Sequence, residues 1–83
     1  MAYKVIIDMT AVLPKIKKLD VKLGFFAEKS VILELDADNP DDACYLAYRE
    51  FCEHIVEQDN NSETKSLLRD LKNEFKVIRL IEL

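Results

Sequence analysis

The chain has 83 residues, 49% of them apolar and 34% charged, with a formal net charge of −4. A chain of this length makes a single domain, residues 1–83, that buries roughly 60 to 65% of the surface its unfolded form exposes, and its apolar content exceeds that of a disordered polypeptide. Its one glycine, Gly24, excludes phosphate sites of the G-x-G-x-x-G or Walker type, because backbone amides converge on phosphate only where several glycines allow it.

Near the start, Lys4 and Asp8 interrupt the apolar residues before a long run builds, unlike a signal peptide, and no stretch approaches the ~20 apolar residues of a membrane span. A cytoplasmic protein with no membrane association is expected. Tyr3, Val5, Ile7 and Met9 alternate with Lys4, Ile6 and Asp8, the period of a strand with one wetter face. Residues 10–19 contain Pro14 and several lysines and read as an irregular connection across the surface. Two further strands are expected at Val21–Ala27 and Val31–Ala37, joined by Glu28-Lys29-Ser30 as a hairpin.

The next segment has the strongest helix signals. Asn39 can cap it, Pro40 suits the first helical position, and Asp41 and Asp42 favour the positive end of the helix dipole. At 100° per residue, Cys44, Tyr48, Phe51, Cys52 and Ile55 share one side, and Glu50, Glu53 and Glu57 share the other. Gln58-Asp59-Asn60-Asn61 ends this helix. A second one begins at Asn61 or Ser62 with Thr64, Leu67, Leu68, Leu71 and Phe75 as its apolar stripe. Residues 76–83 return to a strand that is apolar on both sides, which is expected to sit between other strands. The order β-β-β-α-α-β predicts an α+β fold: a single, mostly antiparallel sheet of about four strands with two helices on one face.

Metal and catalytic chemistry find little support. Aligned as a calcium loop from Asp36, the carboxylate-rich segment puts Asp41 where glycine is required and Ala47 where the bidentate glutamate belongs. Cys52 and His54 project about 160° apart on one helix, which defeats both a zinc site and a Cys-His catalytic pair. Cys44 and Cys52 lie about 12 Å apart along it, beyond the ~7 Å of a disulfide, so both are read as reduced thiols. A non-enzymatic protein without metal or cofactor is expected.

Charge is the feature that remains. Ten of the sixteen acidic residues fall between Glu34 and Glu63, where Arg49 is the only basic residue, so residues 1–33, 34–63 and 64–83 carry +3, −9 and +2. Glu50, Glu53 and Glu57 can imitate a row of phosphates before a basic groove on another protein, and Leu46, an apolar residue on the same charged side, is the candidate anchor. The alternative site is a basic surface for RNA: Lys15, Lys17, Lys18 and Lys22 beside Phe26, joined by Lys72, Lys76 and Arg79. Self-association through an exposed edge of the final strand is a third reading.

The layout of strands, an N-P-D-D-opened amphipathic helix (Asn39 to Asp42) and a closing strand, in an acidic chain poor in glycine and cysteine, resembles the small accessory proteins that large tailed phages use to redirect their hosts. The resemblance spans the whole chain in size and layout and carries no residue by position. It implies a binder that blocks one host macromolecule, such as an antitoxin-like neutraliser of a defence nuclease. The expected function is therefore inhibition or regulation of a nucleic-acid-handling protein through Leu46, Glu50, Glu53 and Glu57.

Overall fold

The computed structural model describes all residues 1–83. It is α+β: β1 (Ala2–Asp8), a one-turn helix α1 (Leu13–Ile16), a 3₁₀ turn (Gly24–Ala27), β2 (Ser30–Asp36), α2 (Pro40–Val56), α3 (Ser62–Leu71), a second 3₁₀ turn (Lys72–Glu74) and β3 (Lys76–Glu82). The sheet has three strands in the order β2-β1-β3, and β1 pairs antiparallel with both neighbours. The two outer strands therefore run parallel to each other, joined by a crossover that lays α2 and α3 on one face of the sheet.

Alternation along β1 sets that face. Tyr3, Val5 and Ile7 are buried, and their partners Leu35, Leu33 and Val31 on β2, with Leu80 and Val77 on β3, point the same way. Ala43, Ala47, Phe51 and Ile55 repeat every fourth residue along α2 and close the core, with Leu68 and Leu71 from α3 beside them. Alanine at two of these positions lets the helix axis approach the sheet closely, and Phe51 fills the space further along. Asn39 and Asn61 cap α2 and α3, their side-chain oxygens accepting from the Asp42 and Thr64 amides at 2.9 Å each. No helix is long and apolar enough to cross a membrane.

Three expectations are corrected. Residues 21–27 are not a strand, so the sheet has three strands rather than four. Gly24 takes φ +59°, a left-handed conformation that breaks an extended run, and the turn that follows rotates Phe26 inward. Phe26 is 2% exposed and packs edge-on against Phe51, with centroids 5.3 Å apart. The peptide of Lys22 is held on the flank of α2: Gln58 accepts from the Lys22 amide at 2.7 Å and donates to its carbonyl at 2.7 Å, and His54 Nε2–H donates to that carbonyl at 2.8 Å.

The final strand lies at an edge, not between strands. Its inner residues Val77 and Leu80 join the core, but Ile78 is 60% exposed and Ile81 faces away from the helices. Ile78 is the extra residue of a bulge, since Ile6 and Ile7 pair with Arg79 and Val77. Leu46, read as an apolar residue on the charged side of α2, is half-buried and packs against the core, beside Ala37 and Asp38 of the β2–α2 connection.

Candidate protein-binding site

The acidic side of α2 is formed as its periodicity requires. Glu50, Glu53 and Glu57 are all exposed and share a cleft of about 130 Å³ with His54, Phe25 and the rim of Phe26. Arg49 Nε donates to Glu53 at 2.9 Å, a solvent-exposed pair one helical turn apart, while Glu50 and Glu57 have no ion pair. Phe25 is 56% exposed and stands against Phe26, with ring centroids 4.3 Å apart. An apolar ring thus sits among three carboxylates on a rigid element, backed by buried aromatics and by the clamped Lys22 peptide.

This juxtaposition was not evident in the sequence. Phe25 and Phe26 adjoin the lysine cluster in the chain, yet the 3₁₀ turn carries them to the acidic helix. Leu46 lies away from the cleft, along the side of α2 facing the β2–α2 connection, and Phe25 is the apolar residue that accompanies the glutamates. The one signal that could have found it is Gly24, whose left-handed conformation re-aims the two rings.

The basic residues are distributed over two clefts, the Lys72–Glu74 turn and the open sheet face. Lys15 forms an ion pair with Glu74. Lys18 shares a polar cleft with Asp20, Asp59 and Glu63, Lys17 is exposed, and Lys22 is tied by its backbone to α2. Lys72 lies with Lys65 and Arg69 at the rim of an apolar cleft of about 430 Å³, floored by Tyr48, Cys52, Val56 and Leu68. Lys76 and Arg79 pair with Asp8 and Ile6 and so face the uncovered side of the sheet. Phe26 is buried and is not free to stack on a base.

Cys52 and His54 open into different clefts, and Cys44 and Cys52 are both free thiols. Burial pushes both thiols above the ordinary range, with Asp41 adding to the effect at Cys44 and Glu53 at Cys52. Burial likewise raises the Tyr48 hydroxyl, which donates to the Leu68 carbonyl and ties α2 to α3. No group of three His, Cys, Asp or Glu side chains converges in a way that would hold a metal ion. No protein-family model matches the chain, and no match was found among curated proteins or solved structures.

Proposed function

We propose that this chain is a non-enzymatic binding protein that inhibits or regulates a nucleic-acid-handling partner by occupying its basic surface, as an antitoxin-like neutraliser would. The observation that carries this reading is the exposed Phe25 ring among Glu50, Glu53 and Glu57. An arginine or lysine of the partner would lie over the ring face and meet the carboxylates at its edge, combining cation–π attraction with charge-assisted hydrogen bonds. Carboxylates alone attract any cation. The ring adds an anchor of the kind that dominates interface energies, surrounded by charges that steer association. Leu46 would lie at the border of this contact.

Affinity capture from cells, followed by mass spectrometry, tests the proposal. The wild-type chain should recover a basic protein that Phe25→Ala loses largely and Glu50→Lys/Glu53→Lys/Glu57→Lys loses completely, with both variants shown to be folded by circular dichroism. Recovery of the same partner by both variants would remove this surface from the reading. Recovery of RNA that survives both variants would favour the basic surfaces instead.

A further inference from the structure

The flank of α2 away from Phe25 carries an apolar groove that no other part of the chain covers. Two clefts adjoin there. The first, of about 430 Å³, is floored by Tyr48, Cys52, Val56 and Leu68, and the second, of about 280 Å³, shares Tyr48 and Lys72 with it and adds Cys44, Tyr45 and Phe75. Tyr45 is 61% exposed, and Tyr48, Cys52, Val56 and Phe75 are half-buried. At 1.5 Å per residue, the floor from Tyr45 to Val56 is about 16 Å long, or about three helical turns. Contiguous exposed apolar surface of this kind marks interaction sites.

One wall of the groove is a row of cations. Lys65 and Arg69 of α3, and Lys72 just after it, project within about 60° of one another and line the first cleft, whereas Glu63 and Asp70 project together on the other flank of α3. Like charges four and three residues apart destabilise a helix slightly, and none of the three has an ion pair to offset this. The surrounding carboxylates are engaged or placed elsewhere. Glu74 is paired with Lys15, and Glu53 with Arg49, which stands three residues before Cys52. Asp59 and Glu63 lie in the cleft with Lys18, and Glu50 and Glu57 in the Phe25 cleft. Asp41 is the one carboxylate lining the groove, in the second cleft, which Lys72 also lines, and it forms no ion pair. Three cations against one carboxylate leave the lining positive in a chain whose net charge is −4.

We propose that this groove receives an acidic amphipathic helix of another protein, its apolar side on the floor and its carboxylates against Lys65, Arg69 and Lys72. The row rises about 10 Å along α3, too long for the single head group of a small amphiphile, and it matches carboxylates four and three residues apart on a helix laid in the groove. A polynucleotide would follow the cations but find no free ring beside them. Tyr48 packs edge-on against Phe75, with centroids 4.9 Å apart, and its hydroxyl donates to the Leu68 carbonyl. The acidic helix of a second copy, α2, has its apolar side buried in its own core. The groove lies across α2 from the Phe25 cleft and does not depend on that reading.

Fluorescence anisotropy of the full chain with a labelled peptide tests the proposal. The probe is an alanine-based helix of about 15 residues, with leucines four, three and four residues apart and a glutamate after each leucine. Saturable binding at one peptide per chain, with a dissociation constant below about 100 μM, is expected at about 0.1 M salt. Replacing the glutamates by lysines, or the leucines by serines, should weaken it about tenfold or more. Lys65→Glu/Arg69→Glu/Lys72→Glu, at exposed positions, should weaken the acidic peptide about tenfold and bind the lysine peptide instead. Phe25→Ala should change nothing. In Cys44→Ala, which leaves Cys52 as the only thiol, bound peptide should slow alkylation of Cys52 about threefold or more, placing the peptide on the floor. No saturable binding, binding that survives the charge reversal, or an unprotected Cys52 would overturn the proposal. So would a labelled oligouridine that binds more tightly than the peptide and is lost in the same triple variant, or a dimer in sedimentation that the peptide dissociates. These would assign the groove to RNA or to a second copy.

Discussion

Phe25 and Phe26 are adjacent in the chain and opposite in role. Phe26 is buried against Phe51 and His54, so Phe26→Ala should cost about 3–5 kcal/mol, read from denaturant unfolding. Phe25→Ala, at an exposed ring, should stay within about 0.5 kcal/mol of the wild type and lose the partner instead. The thiols give a second residue-scale prediction. Burial raises Cys44 and Cys52 above the ordinary 9.0, so the folded state favours the protonated thiol. Their stabilising contribution is complete below that value and is lost as pH rises through the folded-state values. Unfolding free energy should accordingly fall on the alkaline side, and by less in Cys44→Ala/Cys52→Ala. Alkylation near pH 8 should be slower in the native protein than in denaturant, because the thiolate is the reactive form. The helix caps at Asn39 and Asn61 were legible in the sequence, since capping is local chemistry. The fate of two adjacent phenylalanines was not, because it depends on one backbone dihedral at Gly24.

At the scale of elements, long periodic segments were legible and short ones were not. The starts of α2 at Pro40 and α3 at Ser62 follow from caps and periodicity, and β1 and the inward set Val31, Leu33 and Leu35 follow from alternation. Residues 21–27 mislead because Val21, Leu23 and Phe25 alternate as a strand would, while the conformation is set by Gly24 and by contacts with Gln58 and His54 far along the chain. A Cβ added at Gly24 would meet the His54 ring only at 3.8 Å, ordinary contact, so Gly24→Ala is strained by its φ of +59° rather than by crowding. It should cost about 1–2 kcal/mol by thermal or denaturant unfolding. Gln58→Ala removes both side-chain bonds to the Lys22 peptide and should speed hydrogen exchange of the Lys22 amide with little change in global stability. The position of β3 at an edge also escaped the sequence, since its outward isoleucines imitate the pattern of a buried strand.

For the molecule as a whole, folding redistributes charge that the sequence keeps in blocks. The acidic block divides into caps and first-turn carboxylates at the start of α2, the corner of β2, and the row of glutamates beside Phe25. The basic ends divide further: Lys15 is paired with Glu74, Lys18 lies among carboxylates, and Arg79 faces the open sheet. The glutamates beside Phe25 therefore persist in the folded chain as a compact acidic patch. Its location was half legible: helical periodicity gives the glutamates, and only tertiary structure gives the ring. Joint action of Phe25 and the three glutamates on a basic partner, as proposed, is tested most directly by the affinity of the captured partner at low and high salt. Screening at about 0.3 M salt shortens the Debye length below ~6 Å. Wild-type affinity should fall at least tenfold between about 0.05 and 0.3 M salt, the Glu50→Lys/Glu53→Lys/Glu57→Lys variant should bind weakly at both, and Phe25→Ala should lower affinity while keeping the wild-type salt slope. A partner whose affinity is indifferent to salt and unchanged in the triple variant would contradict the account.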